Sequence, residues 1–322
     1  MITQAGEYNL TTVQQLQDPT YLYEINKLWF DGKEGTFQGA GNISIYYKTF
    51  LQPDEELGAI MISTGRTEAA LKYKEVVFNL YNNGYSVYIF DHRGQGLSGR
   101  MTEDNEMGHV DDSKYYVEDM KKFFDLTMGK AAHKKRYLLS HSMGGAIGMR
   151  YIEKYPDDFA AAAFISPMLG LSAYICPLAK VFPNKAKYVP GYSGYSDDST
   201  KFEGNDVTNC RIRYFQKIAL YNEIKDARIG GASMQWLKES CKLMKRVGKY
   251  MDEIQIPILI FLAEDETVVN PKITEKFAEK ASLKGKKCTL ISIEDAKHEL
   301  LMERDPQRSR VLLEIFSFYR LN

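Results

Sequence analysis

"KRYLLSHSMGGAIGMRYIEKYP", residues 135–156, holds the change of pattern that decides the fold. Residues 135–140 read as a short buried strand. Residues 143–155 carry apolar side chains at helical spacing and stop before Pro156. Between them stands Ser142, in the stretch Ser140-His141-Ser142-Met143-Gly144. This is G-x-S-x-G with a serine in its first position. A serine on a sharp strand-to-helix turn presents its hydroxyl at the end of a sheet, and small neighbours let the turn close. Gly144 and Gly148 are four apart, so they share a helix face and let the helix approach the sheet. Ser140 adds one Cβ and one hydroxyl where glycine is usual, a small intrusion. A serine-capped helix with a chance glycine pair would explain the motif alone. The strand before it and the helix after it favour a nucleophile.

The alternation continues on both sides of this unit. Buried-strand runs occupy 57–64, 85–91 and 159–166, with helical spacing over 68–84 and 114–129. It resumes with strands over 256–263 and 287–293 and a last helix over 308–320. Strands alternating with helices predict a mainly parallel, twisted sheet flanked by helices on both faces, an α/β fold. Residues 35–51 read as a hairpin with Gly39, Gly41 and Asn42 at its turn. The first 30 residues read as a polar, partly helical arm.

From 169 to about 248 no long strand is evident, and Pro177, Pro183 and Pro190 cluster early in that stretch. An insertion of this length between two strands predicts a mostly helical lid. The chain thus divides into a first part of the core with the arm (1–168), an inserted lid (169–248) and a second part of the core (249–322). The apolar stretch 160–182 contains Pro167, Gly170 and Pro177, which fits a strand, loop and short helix better than a membrane span.

The chain has 322 residues, 44% of them hydrophobic, with 42 basic and 42 acidic side chains. Zero net charge argues against a nucleic-acid partner, which needs a basic footprint. No C-x-x-C pair occurs among Cys176, Cys210, Cys241 and Cys288, so reduced thiols in a cytoplasm are expected. The amino-terminal MITQAGEYNL lacks the basic and apolar regions of a signal peptide. No internal repeat is evident, and no metal site or protein partner is predicted.

A serine hydroxyl needs a base. Among five histidines only His298 follows Ser142, in a loop after the last strand, which is the order expected for serine, acid and histidine. His141 is expected to point elsewhere around the turn. The acid should follow the preceding strand, where Glu264, Asp265 and Glu266 compete. Asp265 has the preferred register, with Val268 and Val269 packing back on the core, and Asp295 reads as a turn residue. The oxyanion donors are expected at the backbone N–H groups of Met143 and of Arg66, the latter in the loop 64–68. An apolar channel for the substrate is expected from Met168, Leu169, Leu171, Tyr174, Ile175, Leu178, Val181 and Phe182, or these side chains simply glue the lid to the core. Lys180, Lys185, Lys187, Arg211 and Arg213 could meet a phosphate head group, though a solvated lid surface also accounts for them. DHRGQGLSGR (91–100) has glycines too irregular for a dinucleotide loop and reads as a tight loop beneath the site.

STGRTE (63–68), FDHRGQGLSGR (90–100), GHV (108–110), YLLSHSMGGAI (137–147), ISPMLG (165–170), AEDETVV (263–269) and KHELLMERD (297–305) occur in an order that resembles one group of proteins. These are the α/β-hydrolases of the monoacylglycerol lipase and lysophospholipase group. DHRGQG-x-SGR together with HSMGGAI resembles the bacterial lysophospholipase L-two type. The resemblance spans roughly residues 35 to 322 and weakens through the insertion. It implies a Ser142/Asp265/His298 triad, oxyanion donors at Arg66 and Met143, no cofactor, a lipid ester substrate and loose association with the inner face of a membrane. The expected activity is hydrolysis of the acyl ester of single-chain lipids, lysophospholipids first, with monoacylglycerols or broad carboxylesters as the alternative.

Overall fold

A computed structural model describes residues 8–196 and 201–322. The first seven residues of the arm lie outside the described residues. The sheet has eight strands in the order β1-β2-β4-β3-β5-β6-β7-β8. β1 (Lys33–Gln38) and β2 (Ser44–Phe50) form the expected hairpin, and β2 pairs antiparallel with β4 (Tyr85–Phe90). The hairpin turn uses left-handed backbone at Gly41 and Asn42. From β4 onward every pairing is parallel, through β3 (Gly58–Ser63), β5 (Arg136–His141), β6 (Ala161–Ile165), β7 (Ile258–Ala263) and β8 (Cys288–Ile293).

Side chains alternate across this sheet because a strand turns successive residues to opposite faces. Ala59, Met61, Leu138, Phe164 and Ile260 join one core. Ile60, Ile62, Leu139, Ile165 and Phe261 join the other. The first core takes residues of α3 (Lys114–Leu126), α4 (Met143–Lys154) and α8 (Pro271–Leu283). The second takes residues of α2 (Lys74–Asn82) and α9 (Asp305–Leu321). Helices therefore cover both faces, and the central strands are buried along their whole length. α1 (Pro19–Asp31) belongs to the arm; the Asp18 carboxylate caps it by accepting from the Thr20 N–H.

Between β6 and β7 the described residues hold helices and no strand: α5 (Ile175–Ala179), α6 (Arg211–Glu223) and α7 (Met234–Arg246). α7 is fixed by its own cap, the Ser233 hydroxyl accepting from the Trp236 N–H. An isolated bridge ties the insertion to the core at Gly108–Ala232, and a second, Tyr188–Ser233, closes within the insertion itself.

One expectation fails here. Cys176 and Cys241 are joined in a disulfide, with Cα atoms 5.6 Å apart, so they are not two separate thiols. The fold brings α5 onto α7 across a separation of 65 residues, and no local spacing announces that contact. Cys210 and Cys288 are free thiols.

Candidate active site

Ser142 sits between β5 and α4 with φ 51° and ψ −116°. That backbone is costly for a residue with a Cβ and persists only where its surroundings enforce it. Here they do: the Ser142 N–H donates to the Ile165 carbonyl at 3.0 Å, and its carbonyl accepts from the Met168 N–H at 2.8 Å. The glycines after it are required by contact. A Cβ on Gly144 would strike the Ser63 and Thr64 carbonyl oxygens, and one on Gly145 would come within 2.6 Å of the Pro167 ring. Ser140 is accommodated because its Oγ lies over Gly148, where a Cβ would come within 2.6 Å of it.

His298 Nε2 is 2.8 Å from Ser142 Oγ. Its Nδ1 is 2.7 Å from Glu266 Oε2. The sequence reading favoured Asp265 at this position, and the structure corrects it by one residue. After β7 the Glu264 N–H still donates to Ile293 and the Asp265 N–H to Ala296, so the backbone there continues to follow the β8 side. Asp265 consequently points its carboxylate to solvent. The chain then turns, and Glu266 Oε1 accepts from the Val268 and Val269 N–H groups at 2.8 and 3.1 Å. Burial alone would raise the Glu266 carboxyl, but hydrogen bonding and charge from His298, with the two amides, hold it below its ordinary range. Asp295 has left-handed φ and is a turn residue, as expected.

The loop after β3 carries Arg66 and meets the start of α4 where Gly144 contacts Ser63 and Thr64. Thr67 has φ 60°, which sharpens the loop. Gln95 Nε2 donates to the Gly65 and Glu68 carbonyls at 2.7 and 2.8 Å. Asp91 accepts from the Ala70 N–H and, at 2.7 Å, from the Leu97 N–H. The glycine-rich segment 91–100 is thus a brace under the Arg66 loop. Burial pushes the Asp91 carboxyl up to about 6 despite these two amides.

A cluster of buried charges beside the histidine was not legible in sequence. Glu68 accepts from the Gly65 N–H, from Lys72 and from the Tyr73 hydroxyl. Lys72 also pairs with Glu299 at 2.9 Å. His141 joins through Nδ1, 3.2 Å from Glu68 Oε2, and its ring lies 4.9 Å from that of His298. It therefore faces the site rather than pointing away. Burial would raise both carboxyls, yet Lys72 and His141 hold Glu68 well below its usual range, and Lys217 and Lys72 hold Glu299 below. The remaining histidines are structural: His92 contacts Ser63, His109 contacts Ser233, and His133 bridges Tyr88 and Glu56.

Ser142 and His298 line a cavity of about 460 Å³. Of the predicted channel residues, Met168, Leu171, Tyr174, Ile175, Leu178 and Phe182 line it. Leu169 does not; it is buried in the core beneath. Val181 is 77% exposed and faces outward. Trp236, Val189 and Val207 complete the wall from parts of the insertion that the sequence reading left out.

The predicted head-group cations are placed elsewhere. Arg213 is wholly buried and spent on Glu75 and Asp305. Arg211 pairs with Glu203 at the surface. Lys180, Lys185 and Lys187 are exposed on the insertion. Among the described residues no group of three or more His, Cys, Asp or Glu could hold a metal ion, and no helix is long and apolar enough to cross a membrane.

Residues 54–305 match the family model described as serine aminopeptidase, S33. The chain is 32% identical over 288 residues to a probable lysophospholipase L2 of Haemophilus influenzae, covering 87% of this chain and 90% of that one. It is 30% identical over 305 residues to lysophospholipase L2 of Escherichia coli, covering 92% and 89%. The crystal structure of a soluble variant of monoglyceride lipase from Saccharomyces cerevisiae superposes with a TM-score of 0.70 at 18% identity, covering 89% and 95%.

Proposed function

Because the chain belongs to the serine aminopeptidase S33 family and is a serine carboxylic-ester hydrolase of the monoacylglycerol lipase and lysophospholipase group, we propose that its substrates are lysophospholipids. Ser142 Oγ attacks the acyl carbonyl while His298 Nε2 takes its proton. Glu266 holds the imidazole tautomer and stabilises the imidazolium. The backbone N–H groups of Arg66 and Met143 receive the oxyanion, whose stabilisation by each donor is typically worth about 10²–10³-fold in turnover. His298 then protonates the leaving alcohol, and water repeats the sequence on the acyl-enzyme. No step calls for a cofactor.

The observation that carries this reading is that Ser142 and His298, 2.8 Å apart, open into an apolar cavity walled by Met168, Ile175, Leu178 and Phe182. The polar reacting group and the acyl site are continuous. Residues 169–248 act as the lid over that site, between the two parts of the core.

The outer surface of the lid suits a lipid–water boundary. Tyr174, Leu178 and Val181 are 71, 52 and 77% exposed, beside the exposed Lys180, Lys185 and Lys187. Apolar side chains flanked by lysines favour loose contact with an anionic membrane face.

Hydrolysis is tested on lysophospholipids, monoacylglycerols and short esters, with Ser142→Ala as control. A folded protein inactive on every ester would defeat the hydrolase mechanism. A fluorophosphonate probe that labelled wild type and Ser142→Ala equally would move the nucleophile elsewhere. Monoacylglycerol is the second reading, since the acyl cavity alone serves a neutral head group as well. Preference for monoacylglycerols over lysophospholipids of the same chain would establish it instead.

A further inference from the structure

Arg66 lines two cavities at once. One is the apolar cavity of Ser142 and His298. The other, of about 350 Å³, is walled in part by Lys72, Lys217 and Arg228, with Glu68 and Glu299 as its carboxylates. The second cavity is therefore more polar than the first, with an excess of cations, and it adjoins the reacting serine's cavity through Arg66.

The Arg66 guanidinium is held but, among the described residues, not neutralised. Its Nη2 donates to the Gly230 carbonyl at 2.6 Å, and its plane lies over the Trp236 ring, 4.9 Å from the centroid. Its Nε is buried with no hydrogen-bond partner, and among the described residues no carboxylate pairs with it. The wholly buried arginines are neutralised: Arg93 by Asp119, Arg213 by Glu75 and Asp305, and Arg308 by Glu75. A half-buried cation without a counter-ion is partly desolvated at a cost, and arginine does not escape by losing its proton. A ligand that brings the negative charge removes that cost. Nη2 keeps a second hydrogen and Nη1 has no partner among the described residues, so that end of the guanidinium can meet two oxygens of a phosphate, and contact with Trp236 restrains the side chain before the ligand arrives.

We propose that Arg66 and the polar cavity beyond it form the head-group site, receiving the phosphodiester of the lysophospholipid whose acyl chain occupies the apolar cavity. The inference rests on the lysophospholipid reading above. The ester lies at Ser142, so the acyl chain leaves it toward the lid and the glycerophosphate toward Arg66. Lys72 is already spent on Glu68 and Glu299, and Lys217 lies 3.8 Å from Glu299. Arg228 bonds the Tyr221 carbonyl and the Asn222 side chain and lines only the second cavity, so Arg66, which lines both, is the cation placed to meet a phosphate next to the ester at Ser142. A purely structural staple between the loop and Gly230 is the competing account, and it makes no distinction between head groups.

The test compares kcat/KM of wild type and Arg66→Gln on lysophosphatidylethanolamine and on monoacylglycerol of the same acyl chain. The ratio between the two substrates should fall roughly 10- to 100-fold in the variant, as for loss of a charge-assisted hydrogen bond. Equal losses on both substrates would overturn the head-group site and leave the lysophospholipid reading standing. A wild type that cleaves monoacylglycerol but not the lysophospholipid would overturn that reading first, and this inference with it. A second measurement needs no variant. Glycerophosphoethanolamine should compete with a short neutral ester on the wild-type protein, where glycerol at the same concentration does not. Absence of that competition would also overturn the site.

Discussion

Glu266 Oε2 lies 2.7 Å from His298 Nδ1, while the neighbouring Asp265 turns its side chain to solvent. One oxygen of Glu266 meets the imidazole and the other is pinned by the Val268 and Val269 amides, so the carboxylate cannot rotate away without losing two hydrogen bonds. Glu266→Gln should reduce kcat on a short ester by about 10³–10⁴-fold, the usual cost of a mis-set histidine tautomer. Asp265→Asn should stay near wild type. Steady-state rates on one ester decide it, and the reverse ranking would return the acid to Asp265.

That one-residue error marks where sequence reasoning stops. The nucleophile and base were legible because each depends on local pattern: a strand-turn-helix around Ser142, and a lone histidine after the last strand. The acid depends on which of three consecutive carboxylates a turn aims inward, and backbone pairing to Ile293 and Ala296 decides that. The Glu68–Lys72–Glu299 cluster, with His141, draws on segments up to 231 positions apart by numbering, so no window of sequence contains it. Arg66 is expected as an oxyanion donor from its place in a loop. That its side chain meets no carboxylate among the described residues is visible only once the insertion is folded against it.

The serine that departs from the usual motif is coupled to a glycine on the following helix. Ser140 Oγ is buried without a hydrogen-bond partner and occupies the space that a Cβ on Gly148 would need. Gly148→Ala should therefore destabilise by about 1–3 kcal/mol, since Leu138 and Phe164 crowd the same spot. Ser140→Ala should be neutral or stabilising, because it removes an unpaired buried hydroxyl. The double variant should recover at least about 0.5 kcal/mol of the Gly148→Ala loss, read from denaturant unfolding. Strict additivity would mean the two side chains do not compete.

His92 gives the fold an acid limit. Burial pushes its imidazole down to about 3, against an ordinary value of 6.5, with only the more distant Glu68 opposing. It faces Ser63 Oγ and the Phe90 and Tyr116 rings, none of which stabilises a charge strongly. Between about pH 3 and 6.5 the unfolded chain binds a proton that the folded chain refuses. The stability contribution is complete above pH 6.5 and falls as pH drops, by about 1.4 kcal/mol per pH unit. His92→Gln should flatten that limb of the stability curve, whatever it does to stability at neutral pH. An unchanged slope in urea unfolding at stepped pH would remove His92 from the account.

The exposed side chains of the insertion predict how the protein meets its substrate. Val181→Asp would put a negative charge among Tyr174, Leu178 and Lys180, where an anionic surface is expected to approach. Co-flotation with phosphatidylglycerol vesicles should fall several-fold, while hydrolysis of a dissolved short ester stays the same. A parallel loss of both would place Val181 in the folding of the lid instead.

The disulfide predicts a division between the proposed lid and the core. Cys176 lies on α5 and Cys241 on α7, and α5 supplies Ile175 and Leu178 to the cavity wall. Closing a loop of 65 residues is worth about 4 kcal/mol in the chain-entropy account. That stabilisation acts on the lid, since the sheet gains nothing from it directly. Cys176→Ser with Cys241→Ser should leave the core's amide exchange unchanged while α5 and α7 exchange faster. Activity should fall on long-chain esters, which need the wall, more than on short esters, which need only Ser142, His298 and Glu266. Alkylation of the unreduced protein followed by mass measurement establishes whether the bond is present in a given preparation, because a reducing cytoplasm would leave two thiols. If the bond is intact yet its removal speeds exchange in α4 and the central strands as much as in α5, lid and core unfold as one unit and the division is wrong.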